Sequence, residues 1–431
     1  MKNSWLSLLP FGVFLLIFLG SGIYFEAIGT DFAFYQVSPT VAILPAIILS
    51  VMLSRNKIEK EIEIFIAGVS HHNIIIMCLI FMLAGAFSSV TMAIGSVAST
   101  VNFAISLVPS QALLPSIFLI SAFISTAIGT SMGVVAALVP VAVGIANTSN
   151  IYLPLAVGAV ISGAMFGDNI SIISDTTIAS VQSMGADLKK KLKLNLPISF
   201  ISVLIVLAIL FSLGTKSNVV IAEEYSFIKI SPYILIFILS FFRIHVFKTL
   251  IIGIIFAGMI GIASSDYNII NLSKDIYKGF LSMNEILILS MFIGGLSNVI
   301  SGQGGLEKIT LVFKKIFFKK RKSAKRAELT ISSLIAVINS LIANNTIAII
   351  LSSNIAKELA EENNVSPERA ANCLHIFSCV LQGILPYGAQ ILLASSLSGV
   401  KPIDIMTRVH YCYVLGIVAL LFILFRFPKK H

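Results

Sequence analysis

The sequence predicts an all-α polytopic membrane protein: two inverted-topology repeats, about ten transmembrane helices, and two re-entrant hairpins with interrupted helices. Three observations predict it. Hydrophobic residues fill 57% of 431 positions and charged residues only 12%, whereas a soluble domain carries about 25% charged residues. Apolar runs of about 17–25 residues recur from end to end, the length that crosses a hydrocarbon core of roughly 30 Å as helix. Short stretches of the first half also return, in the same order, in the second.

The matched stretches are "LAGAFSSV" (83–90) with "IGGLSNVI" (293–300) and "STAIGTSMGVVAAL" (125–138) with "NSLIANNTIAIIL" (339–351). A third pairs "MFGDNISIISDTTIASVQSMGAD" (165–187), with a shortening, with "LPYGAQILLASSLSGVKPID" (385–404). Such repeats, with a binding site at their interface, mark secondary transporters. The connector 94–111 carries no Lys or Arg, and its counterpart 303–327 carries nine. The positive-inside bias therefore puts equivalent connectors on opposite sides, the basic one in the cytoplasm. The domains follow: a first membrane repeat over 1–214, an extracytoplasmic linker over 215–230 and a second repeat over 231–431.

In chain order, "MKNSWLSLLPFGVFLLIFLG" imitates a signal peptide, but its apolar run is long enough to span and no small-x-small cleavage site follows. Spans over 6–25 and 38–54 lead to Arg55, Lys57 and Lys60. An amphipathic interfacial helix at 58–71 precedes a span at 73–93. Residues 112–147, broken by "GTSMG", form a hairpin with its tip at Gly129, Thr130 and Ser131. A span over 152–188 is interrupted at "GDNISIISDTT" and reaches Lys189, Lys190, Lys191 and Lys193; another follows at 194–214. The second half repeats the plan with spans at 231–246, 249–264 and 285–302 and a hairpin over 329–362 with "NNT" (Asn344, Asn345, Thr346) at its tip. Spans at 368–400, interrupted at "PYGAQ", and at 408–426 end at Lys429 and Lys430. Both termini then lie in the cytoplasm of a multi-pass protein of the cytoplasmic membrane. Two full crossings in place of each hairpin preserve this parity.

The net charge of +10 sits in short loops beside apolar runs, so nucleic acid is not the partner; the bilayer is. The run 314–326 is a cytoplasmic loop suited to anionic lipid heads. Cys78, Cys373, Cys379 and Cys412 all fall in apolar segments and match no metal motif, so disulfides are not expected. No nucleophile–base or metal-ligand constellation points to an enzyme.

Asp168, Asp175 and Glu285 are the intramembrane acidic candidates. An ionised carboxylate there costs about 2.5–3.5 kcal/mol on insertion scales, and burial favours the protonated form. A buried carboxyl reached by water from either side exchanges a proton for a cation. Seven residues of unbroken helix would separate the two aspartates by about 10.5 Å, too far to share one small ion. Gly167, Asn169 and the following polar run permit unwinding that frees backbone carbonyls. Ser171, Ser174, Thr176 and Thr177 add the oxygens hard cations prefer. "SDTT" is equally good helix N-cap material, so capping alone is an alternative for Asp175.

The hairpin tips bring small polar groups towards both breaks, or are plain turns at a surface. The second break combines Gln382, Pro386, Tyr387, Gly388 and Gln390 without a carboxylate, which makes the site chemically asymmetric. Ser88 and Asn298 read as helix-packing positions, and Glu285 as an outer-edge residue. Arg243 and His245 snorkel at a span end; Arg243 binding a substrate anion is the lesser reading. His71 and His72 form a solvated pair at a span entrance, with pH sensing as the alternative. His375 reads as a satisfied buried histidine.

At "GAMFGDNISIISDTTIAS" the chain resembles the NhaC-type sodium/proton antiporter family of the ion-transporter superfamily. The family signature, GD-x-x-S-x-x-SDTT, is met by Gly167, Asp168, Ser171, Ser174, Asp175, Thr176 and Thr177. "GTSMG" and "PYGAQ" support it, and the likeness covers nearly the whole chain. Asn169 and Ile173 stand where many members carry Lys and Pro. The resemblance implies an alternating-access carrier exchanging Na⁺, or Li⁺, for H⁺, with a Na⁺ site near Asp168, no resident cofactor and a homodimer as one assembly. Relatives that move organic anions or amino acids with ions make such a carrier the alternative; a passive channel would lack coupling.

Overall fold

The computed structural model describes residues 5–28, 30, 36–54, 56–172, 174–214, 224–242, 244–264, 267–305, 308 and 323–426. Arg55, Ile173, Arg243, residues 215–223 of the expected linker, residues 314–322 of the basic run and the outermost lysines lie outside them. The described residues contain helices and no strand.

The first half runs α1 (Leu9–Ala27), α2 (Pro39–Ala42), α3 (Leu44–Met52), α4 (Ile58–Val69), α5 (His72–Ala93) and α6 (Ser96–Leu107). It continues with α7 (Leu113–Ile128), α8 (Ser131–Thr148), α9 (Leu153–Ile170), α10 (Asp175–Met184) and α11 (Leu188–Leu213). The second half runs α12 (Phe227–Phe241), α13 (Val246–Ser264), α14 (Ile269–Ser282) and α15 (Asn284–Gly302). Then come α16 (Ala324–Ile342), α17 (Asn345–Glu362), α18 (Pro367–Ile384), α19 (Ala389–Ser398), α20 (Pro402–Met406) and α21 (His410–Phe425). Among the described residues nine helical stretches are long and apolar enough to cross a membrane, the two arms of the first hairpin among them. Length and composition therefore do not tell crossing arms from returning ones. Both hairpin tips pack against the helix breaks, the first against α9–α10 and the second against α18–α19.

The halves keep a constant offset. The second hairpin arm spans 131–148 and recurs at 345–362, each bound 214 residues on. The same offset carries α9 (153–170) to α18 (367–384) and α10 (175–184) to α19 (389–398). This corrects the third sequence alignment: the break at 171–174 corresponds to 385–388, so Asp168 stands opposite Gln382. Two further expectations shift. The amphipathic helix α14 escaped the sequence reading, although it is the counterpart of α4. Helix α11 starts at Leu188 rather than 194, capped by the Asp187 side chain accepting from Lys190 N at 2.8 Å, and this draws Lys191 into the protein.

Packing exchanges arms between halves. Hairpin arm α8 lies on α19, and α17 lies on α10. Helix α4 crosses α15 where Gly68 meets the backbone of Gly294 and Gly295, and α14 crosses α5 where Gly279 meets the backbone of Gly85. A β-carbon at Gly68, Gly85 or Gly279 would collide with backbone, and one at Gly295 with the Phe65 ring. Gly163 and Gly167, four apart on α9, likewise let α7 close on α9, and Ser125 Oγ donates to Ala164 O at 2.6 Å. Close backbone approach of this kind is how helices associate in lipid, where no hydrophobic force drives them together. In the second half Asn339 Nδ2 makes the equivalent bond to Ser378 O at 3.0 Å.

The second hairpin is also pinned by charge. Buried Glu328 on α16 takes a forked bond from Arg369 on α18, Nε–Oε1 2.8 Å and Nη2–Oε2 3.1 Å. Glu61, also buried, accepts from Ser54 at 2.5 Å and Asn56 at 2.7 Å, closing the turn before α4. The four cysteines are buried and free, in keeping with their apolar settings.

Two stability outcomes follow from these contacts. Gly85→Val should cost about 1–3 kcal/mol by overpacking against Gly279, read as a lower melting temperature of the detergent-purified protein; an unchanged melt would exclude the crossing. Glu328→Ala should cost about 3–5 kcal/mol by stranding Arg369, and the pair Glu328→Met with Arg369→Leu should recover most of it. Equal melts for the single and double variants would show that the fork carries no stability.

Candidate functional site

Asp168 lies in the last turn of α9, one residue after the glycine that admits α7, and is 5% exposed. The helix stops at Ile170, and α10 starts again at Asp175. Ser174 occupies the N-cap position of α10, yet its hydroxyl does not cap; it donates to Asp168 Oδ1. Thr176 Oγ1 lies 3.4 Å from the same oxygen, and Ser131 Oγ at the hairpin tip donates to Oδ2 at 3.2 Å. Three hydroxyls from two chain segments thus surround one carboxylate, and no described cation forms an ion pair with it. Opening the helix is what makes this possible, because hydroxyls of an intact helix would bond back to its own carbonyls.

The second half completes the enclosure with amides. Gln382 Nε2 donates to Ala343 O at 3.2 Å and to Gln390 Oε1 at 2.9 Å. Gln390 Nε2 donates to Ser131 Oγ at 3.0 Å, so the chain Gln382, Gln390, Ser131 points its hydrogens at Asp168. Gln382 Oε1 is left buried with no protein partner. The tips that present these groups turn through left-handed residues, Gly129 at φ 79° and Ala343 at φ 53°. Glycine takes that conformation without strain, whereas alanine takes it at a cost. In the second tip Asn344 offsets part of this by accepting from Ile347 N at 3.1 Å as the N-cap of α17.

A cavity of about 550 Å³ reaches this floor. Its walls run from exposed His71, His72 and His245 down to buried Asp168, Gln382 and Gln390. Gly129, Thr130, Ser131 and Thr176 line it, as do Asn344, Asn345 and Thr346 of the second tip. Asp175 lies on its wall as the first residue of α10, exposed, whereas Asp168 is buried and held by Ser131, Ser174 and Thr176.

Five expected residues stand elsewhere. Asn169 faces away from Asp168 and donates to Ser199 at 3.0 Å and Tyr411 at 2.9 Å, so it packs α9 against α11 and α21. Ser171 donates to Thr126 O at 3.1 Å and ties the break to the first hairpin. Thr177 is buried away from the cavity, and its hydroxyl has no partner. Tyr387 packs on Phe11 and Phe14 and donates to Ser340 O at 2.7 Å. Gly388 is the N-cap of α19. For Asn169 and Thr177 this follows from helix phase: each is the sequence neighbour of a site residue and so points to another face of its helix.

Two residues join the site that the sequence reading left out of it. His375 on α18 is fully buried, with Nε2 3.0 Å from Thr176 Oγ1 and Nδ1 bonded to Lys191 Nζ. Lys191, placed by charge clustering at the membrane surface, is fully buried as well. The missed signal is a polar stripe at helical spacing, Lys191, Asn195, Ser199 and Ser202, all buried on α11.

Residues 5–215 and, separately, 213–427 match the profile of the Na⁺/H⁺ antiporter family. The chain is 24% identical over 389 residues to the Na⁺/H⁺ antiporter NhaC of Bacillus subtilis (strain 168), covering 83% of this chain and 84% of that one. It is 23% identical over 286 residues to the malate-2H⁺/Na⁺-lactate antiporter of the same bacterium, covering 60% and 61%. The crystal structure of the Alcanivorax borkumensis YdaH transporter superposes with a TM-score of 0.46 at 13% identity, over 88% of this chain and 91% of that one. With both halves matched in turn, the chain belongs to the Na⁺/H⁺ antiporter family.

Proposed function

We propose that the protein exchanges Na⁺ for H⁺ across the cytoplasmic membrane by alternating access, with Asp168 as the shared site. One observation carries the reading: a single buried carboxylate at the floor of a cavity of about 550 Å³, ringed by hydroxyl oxygens and in ion-pair contact with no described cation. Such a group takes either a proton or a hard cation, and not both. Asp168, Ser131 Oγ and the unpartnered Gln382 Oε1 are the oxygens offered to Na⁺, while Ser174 and Thr176 hold the carboxylate in place. Li⁺ fits the same donors.

Two inverted repeats over 1–214 and 231–431, joined by the linker 215–230, supply the moving parts. The family profile matching twice and the 214-residue offset both support this division. Rocking of one repeat on the other would open the cavity to one side at a time. With the basic loops cytoplasmic, His71, His72 and His245 face the cytoplasm, and both termini lie there.

A second reading is favoured by size. The cavity of about 550 Å³ far exceeds one bare ion, falls within the about 300–1,000 Å³ of small-molecule pockets, and carries carboxamides in Asn344, Asn345 and Gln390. A small organic anion moved with the ion fits it, as does the malate-2H⁺/Na⁺-lactate antiporter among the relatives.

Proteoliposomes with an internal pH dye and an imposed pH gradient separate these readings. Na⁺ added to wild type should collapse the gradient, and Asp168→Asn should abolish the response. Uptake of labelled C4 dicarboxylate driven by a Na⁺ or proton gradient, with no Na⁺-driven proton flux in its absence, would favour the second reading. Asp175→Asn should raise KM for Na⁺ about two- to fivefold at low ionic strength, leave kcat unchanged, and lose its effect as salt screens the cavity wall. Complete loss of exchange would instead place Asp175 among the ion's ligands.

A further inference from the structure

The buried chain behind Asp168 has a direction. An ammonium has hydrogens and no lone pair, so Lys191 Nζ donates to His375 Nδ1. A neutral imidazole that accepts at Nδ1 carries its hydrogen on Nε2, and Nε2 lies 3.0 Å from Thr176 Oγ1. Thr176 Oγ1 lies 2.6 Å from Ser174 Oγ, which is bonded to Asp168 Oδ1. With Asp168 ionised, every link donates towards the carboxylate. Moving one hydrogen forward in each link reverses the chain: Lys191 becomes neutral, His375 carries its hydrogen on Nδ1, and Asp168 is protonated. Proton number and net charge are the same in both arrangements.

Lys191 has no other way to balance its charge. It is 0% exposed, and no described carboxylate lies within ion-pair distance of it. Glu328, the other buried acid nearby, is taken up by Arg369. The titratable groups around Lys191 are His375 and Cys379 on α18 and Asp168 on α9. Of these only Asp168 is an acid at neutral pH. Sodium bound at Asp168 would cancel that counter-charge and strand a buried ammonium, which is strongly unfavourable.

Building on the antiport reading but moving the transported proton from Asp168 to the lysine behind it, we propose that Lys191 stores that proton and that Na⁺ binding at Asp168 expels it through His375 and Thr176 into the cavity. Thr176 lines the cavity, whereas Lys191 and His375 do not, so Thr176 is the exit. The step balances: one Na⁺ enters, one H⁺ leaves Nζ, Lys191 ends neutral, Asp168 remains a carboxylate, and the charge of the site is unchanged. Lys191 is thus a positioning and storage residue that acts on the ion through His375.

The test is proton release from the full-length protein, purified in detergent and lightly buffered near pH 8, on addition of NaCl against choline chloride. Na⁺ binding is read in parallel as Na⁺-dependent thermal stabilisation. Wild type should release about one proton per bound Na⁺. Lys191→Met should still bind Na⁺ and release almost none. Lys191→Arg, which cannot give up its proton, should bind Na⁺ at least tenfold more weakly, also without release. His375→Gln keeps the lysine but cannot relay, so stopped-flow release should slow at least tenfold. Wild-type proton release from Lys191→Met that binds Na⁺, or an unchanged release rate in His375→Gln, would overturn the proposal and leave antiport at Asp168 standing. Na⁺ binding by wild type with no proton release near pH 8 would likewise overturn lysine storage, whereas no Na⁺-driven proton flux in the proteoliposomes would overturn the antiport reading itself.

Discussion

A carboxylate that must be buried and yet reachable sets the terms for this fold. In a bilayer every polar group needs an internal partner, and Asp168 finds three hydroxyls and, among the described residues, no ion-paired cation. Those hydroxyls come from a hairpin tip and a helix break, two structures that are costly inside lipid because each exposes backbone ends. The rest of the molecule meets that cost. Gly163 and Gly167 bring α7 against α9, Ser125 and Ser171 tie hairpin to break, and α19 closes over the tip.

The frame is symmetric and the site is not. Offset by 214 residues, Gln382 replaces Asp168, Asn345 replaces Ser131, Gln390 replaces Thr176 and Ala343 replaces Gly129. One repeat keeps the carboxylate and the hydroxyls; the other contributes carboxamides, which bridge without adding charge. A second carboxylate at 382 would face the first across the tips and oppose its ionisation. The duplication thus provides two breaks, and the divergence leaves one charge.

Much of this was legible in the residues. Apolar length, both hairpins and both interruptions are found close to the expected positions, because each rests on a strong local signal: run length, glycine, or a polar cluster within an apolar stretch. The family resemblance came from the same cluster. What escaped depends on side-chain direction. Asn169 and Thr177 share the signature with Asp168 and Thr176 but turn to other faces. Lys191 looked like one of four surface lysines until the start of α11 fixed its phase. His375 carries no pattern of its own; only the packing of α18 on α10 and α11 gives it partners. The third repeat pairing slipped because "SDTT" and "PYGAQ" attract the eye more than the helix ends that set the true register.

The exchanged arms bear on how the chain folds. Helix α4 leaves the first half to rest on α15, and Asn298 Nδ2 bonds Ile64 O across 234 positions. Contacts so distant in sequence are slow to form, and a chain made from its N-terminus completes early segments first. When α11 has been synthesised, α4 and α5 still lack the helices that cover their glycines, and the first hairpin still lacks α19. The half that carries the carboxylate therefore waits, inserted but unpacked, for the half that carries none. Assembly of the pocket around Asp168 is a late event, and the second repeat governs its timing.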